Sequence, residues 1–516
     1  MRSIKILTAV IMAAVCIVSA QNAGDNVFSG IQVHTIKLQF NQANYWDSLY
    51  YYYNQGLEQT IMANAVIDGV AYDSIGVRLK GNSSYNHVNN KKPFKLSFDE
   101  YKSSKWDGMK SVSLNNCWEE PTFIREKLHL DFCKSAGIPA PRGNYAVLYI
   151  NDTLFAFYSL VESVDKVFLS THYSNKTGDL FKAVDGIGNS AYLSDFKLYD
   201  SDTCYYSRYE FKTDGSTTGW PRLIAFIDTL NSSSTPATSI PSMFNLGSIY
   251  KAFAADILLA NLDSYINSCR NFYIYYLPTS NKFEWIVWDA SLSMGAFPTS
   301  GVSSVENMNI CYVINSANRP LFGKILSTPE LKSAYIDTLK SLFTGYFNPT
   351  SLSAHIDSIA NIIRPYVYAD QRKMYTNQQF ETNIQSDIVV GANNRKPGLK
   401  SYITARYNSV TTQLANLSSV EQDNALIPDE LSLKQNYPNP FNPSTKISFT
   451  VNKAGYTVLK VYNTIGQCVG TIYEGYAQPS KLYTAEFNGA KFSCGIYIAR
   501  LSSGGRSITQ KMVLLK

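Results

Sequence analysis

Residues 253–295 read FAADILLANLDSYINSCRNFYIYYLPTSNKFEWIVWDASLSMG, and their order decides the fold. Phe253, Ile257, Leu258 and Leu262 recur at helical spacing, which predicts a buried helix ending near Leu262. Asp263 follows in a short polar loop that also holds Asn267 and Asn271. The runs 272–276 and 283–288 are rich in aromatic and β-branched residues. Pro278-Thr279-Ser280-Asn281 between them is a turn signal, so the two runs predict a β-hairpin. Asp289 stands where the second strand stops.

That order has a chemical reading. Phosphoryl transfer asks a protein for a carboxylate to orient the attacking hydroxyl and for oxygen ligands to hold magnesium on the phosphates. Protein kinases supply these as a loop Asp, an Asn a few residues later and an Asp after a hairpin. Asp263, Asn271 and Asp289 match the three roles in order. The plain alternative is that Asp263 caps a helix end and Asp289 closes a strand, since short motifs recur by chance.

Asn261-Leu262-Asp263, Asn271 before Phe-Tyr-Ile-Tyr, and Trp288-Asp289-Ala290-Ser291 resemble the CotH kinase family. That family carries an N-W-D-like triplet, an Asn before an aromatic strand, and W-D-x-D. Ser291 departs from it, standing where a second Asp is common. Upstream, Arg78-Leu-Lys80-Gly-Asn-Ser-Ser resembles the family's R-x-K-G-x-S motif, and Lys91-Lys92-Pro93-Phe94-Lys95 its Lys-bearing strand. Physically, residues 81–84 form a small-residue loop whose backbone N–H groups can approach phosphates. There is no G-x-G-x-x-G and no Walker loop, and a basic, solvated hairpin is the alternative.

Glu120-Pro121-Thr122 predicts a helix start, continuing through Arg125 and Glu126 to about Ser135 before Gly137. It resembles the family's R-E-x-L helix, with Glu120 where Asp is common. Residues 145–165 predict a hairpin centred on Asn151-Asp152 and resemble the family's V-N-G block. Asp152 and Ala156 replace its glycines, and Glu162 and Lys182 match further family positions.

The resemblance implies an α+β fold with an atypical kinase-like catalytic domain that uses ATP and magnesium on a protein hydroxyl. It implies Asp263 as the group that orients the acceptor, and Asn271 and Asp289 as metal ligands. Arg78, Lys80, Lys95, Glu126 and Glu162 become the nucleotide-binding residues, Glu126 holding the phosphate-binding lysine.

The chain has 516 residues, 45% hydrophobic and 17% charged, enough for two or more cored domains. Its net charge of +6 is too mild to argue for nucleic acid. Residues 1–20 read as a secretory signal: Arg2 and Lys5, an apolar run from Ile6 to Val18, then Val18-Ser19-Ala20. The run falls short of the roughly 20 residues that span a bilayer, and no other stretch is long and apolar enough. Seven cysteines then remain, with no C-x-x-C spacing and no zinc pattern.

Residues 32–98 predict strands, with an Asp68-Gly69 turn. Residues 184–242 are loop-rich around a helix at 222–230, and periodic segments at 330–342, 352–367 and 399–414 predict packing helices. Residues 419–430 read as a polar linker after a domain spanning 28–418. From residue 431 the chain shows short alternating strands with Gly and Asn turns, which indicate a small all-β, immunoglobulin-like sandwich. Its opening Asn436-Tyr-Pro-Asn-Pro-Phe-Asn-Pro and its end Lys511-Met-Val-Leu-Leu-Lys resemble C-terminal sorting domains of type IX secretion. That implies export through the periplasm to the cell surface or medium, with the secretion machinery as partner of 431–516. A non-catalytic surface protein that keeps a kinase-like scaffold is the rival reading.

Overall fold

The computed structural model describes residues 22–425 and 431–516, apart from 88, 185–192, 214–215, 298–301, 303, 392–393, 452 and 479–480. The signal segment read at 1–20 lies outside the described residues. The chain divides into two compact units, Met1–Val410 and Thr411–Lys516.

Seven strands open the first unit: β1 (Val33–Gln39), β2 (Ile61–Ile67), β3 (Val70–Leu79), β4 (Phe94–Ser97), β5 (Ser111–Asn115), β6 (Gly143–Ile150) and β7 (Thr153–Glu162). They close a barrel in the order β1-β2-β3-β4-β5-β7-β6, and β6 returns to β1 in parallel. Alternation sets the faces. Ile61, Ala63, Ala65 and Ile67 of β2 turn inward, as do Val77 and Leu79 of β3 and Phe94 and Leu96 of β4. Each such large side chain contributes about 1.5–3 kcal/mol on burial. Arg78 and Lys95, register partners, are left on the outer face. Two tight turns adopt the left-handed backbone that hairpins favour: Asp68-Gly69, at φ 50° and 87°, and Asn151-Asp152, at φ 47° and 62°.

The strand expectation for 32–98 fails at α1 (Tyr45–Asn54). A tyrosine-rich run has strand propensity, but here Trp46 meets Tyr50 four residues on, at a ring separation of 5.5 Å. The helix α2 (Arg125–Ser135) begins three residues after Thr122. The Glu120 carboxylate accepts from Thr122 N and Oγ1 and pairs with Arg125, which holds 120–124 as a turn.

Beyond the barrel, β8 (Asp179–Ala183), β9 (Tyr209–Phe211), β10 (Phe272–Leu277) and β11 (Lys282–Val287) form a sheet in the order β11-β10-β8-β9. The expected β10–β11 hairpin is present. The helix before it spans Leu246–Leu258 and stops short of Leu262, because Ala260 takes a left-handed φ of 40°. Helices Pro329–Tyr346, Pro349–Ala369 and Leu399–Ala425 follow. The last runs through most of the segment read as linker, since no Gly or Pro interrupts it before Pro428. One buried ion pair ties distant parts of this unit: Lys91 Nζ lies 2.7 Å from Asp370 Oδ2, both side chains having no exposure.

In the second unit, a three-stranded sheet (Ser432–Leu433, Ser444–Thr450, Tyr483–Asn488) and a four-stranded sheet (Cys468–Ala477, Gly455–Asn463, Gly495–Ser503, Arg506–Leu514) are both antiparallel. Ile447, Phe449 and Phe487 from the first and Leu459, Val461, Leu501 and Met512 from the second share one core. Among the described residues, no helix is long and apolar enough to cross a membrane, and the seven cysteines are unpaired.

Candidate active site

Asp263, Asn271, Asp289 and Lys80 line one cavity of about 190 Å³ in the first unit, together with the loop 81–84, Asn115 and Ser291. The helix that stops at Leu258 delivers Asp263 to the loop below it, and the β10–β11 hairpin fixes the two other residues at its ends. Asn271 has φ 60° and Asp289 φ 45°. Asn and Asp are the side chains that tolerate the left-handed region, and the turn it gives re-aims each off the hairpin.

The Asp263 carboxylate is held from three sides. Ser268 Oγ donates to Oδ1 at 3.0 Å, Asn271 Nδ2 donates to Oδ2 at 3.0 Å, and Arg270 Nε lies 3.4 Å from Oδ1. Asn271 Nδ2 also donates to the Asp263 carbonyl at 2.9 Å. The amide is thereby oriented with Oδ1 turned away, and Oδ1 has no protein partner among the described residues. Asp289 Oδ1 accepts from Ser291 Oγ at 2.7 Å, and Oδ2 likewise has no partner among them. Ser291, where the family commonly has a second Asp, thus acts as a donor to Asp289.

Lys80 Nζ, 5.5 Å from the centre of the Trp288 ring, donates to Asn115 Oδ1 at 2.9 Å. Asn115 Nδ2 donates in turn to Glu126 Oε1 at 2.9 Å and Oε2 at 3.2 Å. The structure therefore joins Lys80 to Glu126 through an asparagine rather than directly. Burial pushes the Lys80 ammonium down while Asp289 opposes it; burial and then Asp289 push the Glu126 carboxyl up. Asn115, which makes the link, carries no charge; Leu114-Asn115 resembles a segment of the family, but its role as a link shows only once β5 lies against β4.

The other expected nucleotide residues lie outside the cavity. Arg78 pairs with Glu58 at 2.7 Å, and Lys95 sits beside it on β4. Glu162 is buried against Arg142, accepting from Nη2 at 2.6 Å and Nε at 2.9 Å, which makes it a structural ion pair. Cys117 also lines the cavity, and burial pushes its thiol up to about 12, away from the thiolate form.

The loop 81–84 is strapped to α1. The Tyr53 hydroxyl donates to the Gly81 carbonyl at 2.5 Å, and the Tyr53 and Tyr85 rings stack at 3.6 Å. Asn116 Nδ2 donates to the Ser84 carbonyl at 2.9 Å from the other side.

Among the described residues, no three His, Cys, Asp or Glu side chains gather as a metal cage. The available donors are hard oxygens, one carboxylate and one amide. That set suits magnesium, which keeps waters and phosphate oxygens as its remaining ligands.

The family model described as CotH kinase protein matches residues 77–410, and the model of a secretion system C-terminal sorting domain matches 435–515. The chain is 24% identical over 317 residues to "Inner spore coat protein H" of Bacillus subtilis (strain 168), covering 61% of this chain and 83% of that protein. It is 21% identical over 337 residues to "Invasin CotH3" of Rhizopus delemar, covering 60% of this chain and 54% of the invasin. "Invasin CotH7" of the same fungus is 21% identical over 255 residues, 48% of this chain and 41% of that protein. The chain thus spans about half or less of each invasin. Among solved structures, the twitchin kinase region from C. elegans aligns at a TM-score of 0.18, which carries no argument about the fold.

Proposed function

Because the chain belongs to the CotH kinase protein family and ends in a secretion-system C-terminal sorting domain, we propose that it is an exported, atypical kinase. It transfers the terminal phosphoryl group of ATP to a Ser or Thr hydroxyl of a protein. The first unit serves in this reading as a kinase-like catalytic domain. The second is an immunoglobulin-like sandwich that type IX machinery reads to bring the protein to the cell surface or medium.

One observation supports the reading most. Asn271 Oδ1 and Asp289 Oδ2 lack protein partners among the described residues while lining the cavity that Lys80 also lines. Magnesium, when bound there with ATP, supplies neutralisation of phosphate charge. The protein's own part is positioning. Lys80, steadied by Asn115 and Glu126, and the amides of 81–84 receive the phosphates. Asp263 orients the acceptor hydroxyl. Its carboxylate is held in place by Ser268, Asn271 and Arg270.

A scaffold without catalysis is the second reading, favoured by Ser291 in place of a carboxylate. Thermal unfolding with and without magnesium-ATP, followed by radiolabelled ATP with a protein mixture, separates the two. Asp289→Ala should abolish the magnesium-dependent rise in midpoint and all transfer. Asp263→Ala should keep the rise and lose transfer. A parent protein whose midpoint ignores magnesium-ATP would rule out the kinase, and transfer surviving Asp263→Ala would remove Asp263 from it.

A further inference from the structure

The outer face of the barrel carries a second concentration of charge beside the cavity. Arg78 and Lys95 are neighbours on β3 and β4, on the face that Lys80 continues. The sheet beyond the barrel adds Lys182 from β8, whose register partners are Tyr273 and Glu210, and Lys212 just after β9. Three carboxylates answer these four cations, Asp165 acting on Lys95 from a distance. Glu58 takes Arg78 at 2.7 Å, and Glu210 is shared between Lys212 and Lys182, the latter at 4.0 Å. Lys95 has no hydrogen-bond or ion-pair partner among the described residues.

The cations lie close enough to disfavour one another. Burial lowers the Lys95 ammonium, and Arg78 and Lys212 lower it further against Glu58 and Asp165; burial lowers Lys182 too, with Glu210 and Glu58 opposing and Lys212 and Arg78 adding to it. Partly buried cations in excess of their counter-charges cost stability, and a bound anion relieves that cost. None of the four lines the cavity, whose own cations among the described residues are Lys80 and Arg270.

We propose that Arg78, Lys95, Lys182 and Lys212 form an anion site outside the nucleotide cavity, and that it seats acidic side chains flanking the acceptor hydroxyl. The anion site stands on the geometry alone; its use for an acceptor rests on the kinase reading. An acidic stretch of the acceptor meets the excess positive charge there while its hydroxyl reaches Asp263. The phosphates of the nucleotide are met instead by Lys80 and the loop 81–84. A site of this kind selects by charge and weakens as salt rises.

The test uses the full chain and a fluorescein-labelled glutamate-rich peptide with one central serine, read by anisotropy. This arm needs neither nucleotide nor transfer, so it fails or succeeds independently of the kinase reading. The parent should bind the peptide at low salt and lose it at high salt, and a lysine-rich counterpart should not bind. Lys182→Glu and Lys212→Glu, on two different segments, should each weaken binding about tenfold or more. Where the parent transfers phosphate, both should raise the acceptor KM with the magnesium-ATP midpoint shift unchanged. Peptide binding indifferent to both substitutions would overturn the proposal. So would a lost magnesium-ATP shift with intact peptide binding, which would give the cluster to the nucleotide.

Discussion

Asp256 and His129 face each other at 3.9 Å in the core beneath the site, yet they are not an ion pair. Burial holds the imidazole down to about 3 and pushes the carboxyl up to about 7, against hydrogen bonds from Asn261 and Ser264. The folded protein therefore keeps a proton at Asp256 that the unfolded chain, near 3.8, releases. That contribution is complete below about pH 4 and is lost as pH climbs through about 7, on the order of a few kcal/mol. His129 works the other way, since below about 6.5 the unfolded imidazole takes up a proton that the folded one refuses, so the Asp256 share is read from the variant: Asp256→Asn should lower stability more at about pH 5 than at about pH 8 in denaturant unfolding. An equal loss at both would place the sensitivity elsewhere. Residues of this kind are hard to see in a sequence. That Asp263, Asn271 and Asp289 come together at one cavity was legible, because a short stretch carries all three in order. Leu114-Asn115 resembled a family segment, but the link Asn115 makes was not legible, because its partners Lys80 and Glu126 are 35 and 11 positions away and an amide carries no charge signal. Glu162 was read as a nucleotide residue from resemblance alone, and its fate depended on Arg142, 20 positions before it.

At the scale of elements, α1 lies before the residues that match the family, yet it holds the loop that lines the cavity. Tyr53→Ala removes both the ring stack on Tyr85 and the hydrogen bond to Gly81, a loss of about 1–2 kcal/mol. Amide exchange across 81–86 should quicken and the magnesium-ATP midpoint shift should shrink. Tyr53→Phe, which keeps the stack, should fall between. If exchange in the loop is the same in all three proteins, α1 does not hold it. The hairpins were legible because Asp-Gly and Asn-Asp turns announce themselves. Element ends were less so. Leu258 ends its helix through the left-handed Ala260, a backbone fact that no side chain advertises, and the helix reaching Ala425 looked like linker because its residues are polar.

For the whole molecule, the division into a mixed unit and an all-β unit was legible from the change in strand spacing and the Asn- and Pro-rich opening after residue 431. Each unit has its own core. Deleting 431–516 should therefore leave the thermal transition of the first unit in place while the protein accumulates in the periplasm. Truncated protein reaching the surface in normal amount would contradict the sorting role. The buried Lys91–Asp370 pair bears on time rather than on architecture. All seven barrel strands lie before residue 163, so a chain made from its N-terminus holds the whole barrel sequence long before Asp370 exists. Until then Lys91 is a charge with no counter-ion, a handicap of about 3–5 kcal/mol. The first half should therefore be slow to lock ahead of the second. Asp370→Asn should make that handicap permanent: refolding should slow, with β4 amides the last to gain protection. Unchanged refolding would show that the barrel sets without waiting.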